Sequence, residues 1–243
     1  SGCEWIKYCI GEGCNPDTNY VGGTIDFSEN GTLRYHSKDN AGNIQVIQET
    51  TILIDKKAPN ITDDYGYDDI WINHSTGTIT LTPSEEGGSG LKDDPEAVKV
   101  CEGDGCDPES AAGINPPYEL DYSSEQKTVY RYQSYDKAES NSEIEIFTVK
   151  IDKTSPNTDD DYAHDDVWVG QNASINLIES DLPDPTNSGI NITYYCTTDN
   201  LSDSCVPGTE YQGEEINFSE SGILRYYSKD NAGNIQGIKE IQE

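Results

Sequence analysis

Apolar and polar residues alternate along Thr32-Leu33-Arg34-Tyr35-His36-Ser37-Lys38. Leu33, Tyr35 and Ser37 fall on one face; Thr32, Arg34, His36 and Lys38 fall on the other. A period of two predicts a half-buried β-strand. The alternation returns at Tyr130, Tyr132 and Ser134, and at Leu224, Tyr226 and Ser228. In the first and last copies the sequence Asp-Asn-Ala-Gly-Asn follows, at 39–43 and 230–234. Asp and Asn bond back to their own backbone and Gly tolerates positive φ, so this is a turn. A second strand, Ile44 to Ile54, completes a β-hairpin. Further short strands are predicted around Trp71, over Thr78–Thr82 and over Ser174–Ile178, with no helix longer than a turn or two.

The hairpin is the clearest part of an internal repeat. Ser37 to Gln45 returns letter for letter as Ser228 to Gln236, and Val129 to Ala138 is a worn copy between them. Roughly 95 residues separate successive copies, too long for a solenoid and right for one small domain. Ile54-Asp55-Lys56-Lys57-Ala58-Pro59 and Ile151-Asp152-Lys153-Thr154-Ser155-Pro156 mark the junctions. Pro ends a strand there by removing a ladder donor. The expected domains are 1–58, the C-terminal part of one repeat; 59–154, a complete repeat; and 155–243, nearly complete. Residues 1–58 alone are expected not to fold, because missing strands leave edges and a core open.

The pattern of a Leu-Arg-Tyr strand, a Ser-Lys-Asp-Asn-Ala-Gly-Asn turn and a closing Ile-Asp-Lys-x-(Ala/Ser)-Pro resembles the tandem Ig-like repeats of bacterial and archaeal cell-surface proteins. The resemblance covers essentially the whole chain. It implies an all-β fold of Ig-like β-sandwich domains strung like beads, and a cell-surface setting. Its members serve mostly as spacers, stalks and adhesin shafts.

Charge narrows the partners. The chain has 15 basic and 46 acidic residues and a net charge of −31. That excludes nucleic acid and anionic membrane as direct partners, since both call for basic patches. It favours solubility and cations. Only 33% of residues are hydrophobic, thin for one large core but suited to several small sandwiches helped by 16 Tyr. No run is long and apolar enough to span a membrane.

Seven cysteines sit in repeating places. Cys9 and Cys14, Cys101 and Cys106, and Cys196 and Cys205 each bracket a short loop at the end of one strand. No further soft ligands lie near for a metal, and the acidic neighbours disfavour a reactive thiolate, so the pairs are read as disulfides in an oxidising, extracellular setting. Cys3 is left over; its equivalent is Ile190, so a buried thiol is expected, with a bond to another chain as the sharper alternative. Asn30, Asn60, Asn73, Asn172, Asn191, Asn200 and Asn217 begin Asn-x-Ser/Thr sequons and are candidate N-glycan sites.

Past each junction runs a stretch of aspartates: Asp63, Asp64, Asp68 and Asp69, then Asp159, Asp160, Asp161, Asp165 and Asp166. They read either as solvated loops or as Ca²⁺ ligands at the junctions, with Asp39 or Asp136 nearby. Motifs for nucleophilic, metalloprotease or phosphate chemistry are absent, and His36, His74 and His164 are scattered. Trp71 and Trp168 share a repeat position and read as packing; Trp5 stands alone. No enzyme is expected. The function expected is a structural segment of an extracellular filament, stalk or surface-layer protein, partnered by copies of itself head to tail and by N-linked glycans. The alternatives are an adhesin or carbohydrate-binding module, and a spacer of a secreted enzyme.

Overall fold

The computed structural model describes residues 2–74, 77–163, 172–182, 185–201 and 204–242. The chain is all-β with β-sandwich domains. The described residues hold 19 strands and one 3-10 turn, Pro108–Ser110. They divide into two compact units.

The first unit comprises Ser1–Asn60, Pro83–Asp93 and Ser134–Ser142. Its main sheet holds β1 (Cys3–Ile10), β2 (Thr18–Asn19), β3 (Gly31–Asp39) and β4 (Gln48–Ile52), in the order β2-β1-β3-β4 and antiparallel throughout. The expected second hairpin strand, Ile44 to Ile54, is shorter than its pattern suggested. Ile44 makes one bridge to Lys38, and the ladder resumes only at Gln48 opposite Tyr35. Between them the Gln45 side chain turns back to accept a hydrogen bond from Ser37 Oγ at 3.0 Å, and Val46 points out, 81% exposed. Leu33 and Tyr35 share a face as their spacing requires, and with Ile6, Tyr8, Tyr20 and Ile25 they line an open apolar groove of about 300 Å³. From residue 2 to residue 58 only Pro16 is fully buried.

The second unit comprises Ile61–Thr82, Asp94–Gln133 and Glu143–Glu243. Its first sandwich packs β5 (Asn60–Asp63), β7 (Gly77–Ser84) and β9 (Glu119–Tyr122) against a sheet of β6 (Trp71–Ile72), β8 (Val98–Glu102), β10 (Gln126–Ser134) and β11 (Glu145–Ile151). Alternate residues supply the core: Ile61, Ile79 and Leu81 from one layer, Val98, Tyr130, Tyr132, Phe147 and Val149 from the other. The pair β6–β11 is parallel, with Lys150 opposite Trp71 and Ile151 opposite Ile72.

Farther along lie β12 (Asn157–Asp160), β13 (Ala173–Ile175), β14 (Leu177–Ser180), β15 (Ile190–Thr198), β16 (Thr209–Glu210), β17 (Ile216–Phe218), β18 (Ile223–Asp230) and β19 (Lys239–Gln242). They form a sheet ordered β16-β15-β18-β19 and the pairs β12–β14 and β13–β17. The expected strand Ser174–Ile178 is therefore two strands in different sheets. The break falls at Asn176, whose main-chain and side-chain N–H groups both donate to the Asp161 carboxylate, at 2.7 and 2.9 Å. The alternation read for β18 holds: Leu224, Tyr226 and Ser228 are each 1% exposed or less.

The repeated motif letters have physical work here. Gln236 accepts hydrogen bonds at Oε1 from the main-chain N–H of Thr158 (3.0 Å) and of Ser228 (3.3 Å). Its Nε2 donates to Thr158 O at 2.8 Å. One side-chain amide thus supplies the partners that a neighbouring strand would give β12. In the worn copy Ser142 takes that place, its Oγ accepting from Ser134 N at 3.1 Å.

Half-buried tyrosines make the fold sensitive to alkali. Burial, then Tyr122 and Asp68, push the Tyr65 hydroxyl up to about 12. Burial, then Asp94, do the same to Tyr118, also to about 12. A pKa raised in the folded state contributes stability fully below the ordinary phenol value of about 10, and loses it as pH climbs toward the folded value. We expect the urea midpoint to fall between pH 10 and about 12, with these phenols ionising late by ultraviolet absorbance. A single tyrosinate titration at the ordinary value, with no loss of stability, would contradict this.

Candidate functional site

The acidic runs are tied into the fold residue by residue. Asp63 accepts a hydrogen bond from the buried Tyr132 hydroxyl and another from Tyr65 N. Asp160 does the same for the Tyr226 hydroxyl (2.6 Å) and Tyr162 N (3.1 Å). Asp64 accepts from Thr80 N at 2.7 Å, as Asp161 does from Asn176 N. Asp68 accepts from Thr148 N, Asp69 pairs with Lys150, and Asp159 pairs with Lys239. Asp165 and Asp166 lie outside the described residues, as do His164 and Trp168. Among the described residues, no group of three ligand-bearing side chains forms within these runs.

Three carboxylates do converge elsewhere, twice. One oxygen from each of Asp55, Glu85 and Asp136 lies within 4.8 Å of the others, and Asp152, Asp181 and Asp230 repeat the arrangement. The positions correspond: the Asp of Ile-Asp-Lys, an acid after the strand that follows, and the Asp that opens the hairpin turn. Asp55 Oδ2 accepts from Ser89 N at 2.6 Å, and Asp152 Oδ2 accepts from Ser188 N at 2.7 Å. Asp55 Oδ1 and Asp152 Oδ1 each cap a main-chain N–H two residues on, at Lys57 and Thr154. Asp136 Oδ1 accepts from Ser140 N at 2.7 Å, and Asp230 Oδ1 accepts from Asn234 N at 2.8 Å.

Burial in the triads is uneven. Asp136, Asp152 and Asp230 are 1% exposed or less, whereas Asp55, Glu85 and Asp181 are half-buried. The Ser89 and Lys57 N–H groups hold the Asp55 carboxyl down at about 2. Burial, joined by Asp55 and Asp136, pushes Glu85 up. Burial, joined by Asp152 and Asp230, pushes Asp181 up. None of the ion pairs among the described residues reaches any of these six carboxylates. Gly88 is bare for a reason: a Cβ there would collide with Asp55 Oδ2 and Glu85 Oε1.

Sequence reasoning missed Asp55, Glu85, Asp152 and Asp181, and it set Asp136 beside the aspartate run that follows its domain. The hairpin turn instead meets the linker that enters the same repeat. The available signal was identity: the Asp of Ile-Asp-Lys and the Asp of the turn recur unchanged, but so do the more conspicuous acidic runs, Asp63, Asp64, Asp68 and Asp69 returning at the same spacing as Asp160, Asp161, Asp165 and Asp166.

The remaining candidates are placed as follows. Cys9–Cys14, Cys101–Cys106 and Cys196–Cys205 are disulfide-bonded, as read from their spacing. Beside the last, Arg225 donates to Cys205 O at 3.3 Å and pairs with Glu240 at 2.6 Å; Arg34 likewise joins Cys14 O and Glu49. The loop-closure formula gives roughly 2–3 kcal/mol for so short a loop. The Cys196→Ser/Cys205→Ser variant is expected to lose about that much stability in a urea melt and to keep its far-ultraviolet spectrum. An unchanged midpoint would contradict this.

Cys3 is free but exposed, not buried. A register shift falls between Cys3 and Trp5, as it does between Ile190 and Ile192 in the equivalent strand. All seven sequon asparagines are exposed, and Asn217 stands outward between buried Ile216 and Phe218. Trp5 lies within β1, half-buried, its ring 5.1 Å from that of His36. Trp71 is half-buried with Lys150 5.9 Å from its ring centre, and His74 lies 5.4 Å from Tyr67. No helix among the described residues is long and apolar enough to cross a membrane.

No family model matches the chain, and no curated protein does. Among solved structures it is similar to fibronectin(III)-like modules of Clostridium thermocellum CbhA, at 11% identity and a TM-score of 0.32, over 75% of this chain and 92% of that one. The class that the chain's own sheets and bonds define is an all-β protein of disulfide-pinned β-sandwich domains.

Proposed function

We propose that the chain is a non-enzymatic structural segment of an extracellular filament, stalk or surface-layer protein, built from tandem Ig-like domains at 1–58, 59–154 and 155–243. The observation that carries this reading is the recurrence of one arrangement of disulfide loop, arginine and glutamate at Cys9–Cys14 and at Cys196–Cys205. A unit rebuilt so closely within one chain is suited to spacing and load, and its short covalent loops suit an oxidising exterior. Copies follow one another head to tail. The open groove around Tyr8 and Tyr35 accepts apolar strand residues from the neighbour, in the manner of strand addition. N-linked glycans occupy some of the exposed sequons and clothe the acidic surface.

Electron microscopy of the native particle tests the reading. Fibres or a lattice with an axial repeat set by this chain support it. Isolated particles without axial order, at native concentration, overturn it.

A further inference from the structure

We propose that Asp55, Glu85 and Asp136 together bind one Ca²⁺ ion, and that Asp152, Asp181 and Asp230 bind a second. Ca²⁺ takes oxygen ligands at about 2.3–2.6 Å, so oxygens sharing one ion lie within roughly 5 Å of each other. The separations of up to 4.8 Å in both triads meet that limit without rearrangement. Asp136 supplies the second, independent sign. It is 0% exposed, yet its Oδ2 is enclosed and has no hydrogen-bond partner. Burying an anionic oxygen unpaired is costly, and buried charges pair or coordinate metals. Asp181 Oδ1 and both Glu85 carboxylate oxygens are likewise enclosed and unpartnered. The other oxygens already accept hydrogen bonds: Asp55 from Ser89 and Lys57 N–H, Asp136 Oδ1 from Ser140 N–H, Asp152 from Ser188 and Thr154 N–H, Asp181 Oδ2 from Gly189 N–H, and both Asp230 oxygens from the main-chain and side-chain N–H groups of Asn234. These donors fix the carboxylates, and Asp136 Oδ2, both Glu85 oxygens and Asp181 Oδ1 remain open to an ion.

The donor set selects the cation. All six groups are carboxylates, with no His or Cys, so the ion is hard and oxygen-seeking rather than zinc or copper. Glu and Asp exchange at the Glu85/Asp181 position, which a cation of adaptable coordination tolerates and a strict octahedral one does not. Main-chain carbonyls and water complete such a shell. Each ion would join the linker aspartate, 55 or 152, to the hairpin turn of the repeat that follows, fixing the entry of the chain into that repeat. The inference stands on these distances and holds whether or not the chain forms filaments.

The test uses the whole chain after chelator treatment. Isothermal titration with CaCl₂ is compared with MgCl₂, and melting temperature is followed in CaCl₂ and in NaCl of matched ionic strength. Asp136→Asn and Asp230→Asn are made singly and together, with folding checked by circular dichroism. The expected result is a calcium-specific rise in melting temperature of roughly 5 °C or more. Each single variant should lose one bound calcium, and the double variant should lose two along with the rise. If a buried variant fails to fold, the half-buried Glu85→Gln and Asp181→Asn give the same count. A rise that NaCl reproduces reflects charge screening only and overturns the proposal. So does calcium stoichiometry that persists in the double variant.

Discussion

Phe147→Ala is expected to cost about 3–5 kcal/mol and to lower the urea midpoint of its sandwich more than any surface change. Phe147 is 2% exposed, and its ring lies 5.2 Å from Tyr130, 5.4 Å from Tyr65 and 5.6 Å from Tyr132. Removing it opens a cavity that three rings border, and one of them cannot move in to fill it. The hydroxyl of Tyr132 is held by Asp63, which fixes one wall. Phe147→Leu keeps most of the volume and should lose less than half as much. Equal losses for the two variants would show that the cavity is not the cause.

The second large effect is expected at Gln236. Gln236→Leu keeps the size of the side chain but strips Thr158 of partners for both its N–H and its C=O, in a place where Thr158 is 0% exposed. A buried unsatisfied group costs about 1–3 kcal/mol, so the variant should lose roughly 2–4 kcal/mol, with faster hydrogen exchange at Thr158. The same letter in the first copy, Gln45, is exposed and holds only the Ser37 hydroxyl. Gln45→Leu should stay within about 0.5 kcal/mol of the parent. Equal effects at the two positions would mean that the motif acts through the hairpin itself rather than through docking of β12.

These positions also show what the sequence could disclose. The β18 face was legible because alternation is local: each of Leu224, Tyr226 and Ser228 announces its neighbour two residues away. The disulfides were legible because each closes a loop at the end of one strand. The split at Asn176 was not, since it depends on Asp161, and Ser174 to Ile178 alternates without a break whether or not the strand changes sheets. The triads were hidden for the same reason at longer range. Asp55, Glu85 and Asp136 are brought together only when a linker, a strand end and a hairpin turn reach one place. The runs of aspartate drew attention by density, yet their carboxylates are spent on tyrosine hydroxyls, strand N–H groups and lysines.

The parallel pairing of β6 with β11 has a mechanical consequence. A chain under tension is pulled through its repeat from the N-terminal side, which carries β6, and the C-terminal side, which ends in β11. Because the two strands run in the same direction, such a pull slides one along the other. It does not peel them apart bond by bond. The Asp69 N–H bond to Thr148 O, the Asp152 N–H bond to Ile72 O and the Trp71–Lys150 and Ile72–Ile151 pairs then share the load and yield together. Forced unfolding is governed by the unfolding rate, and a clamp that fails all at once slows that rate far more under force than its few hydrogen bonds would suggest at rest.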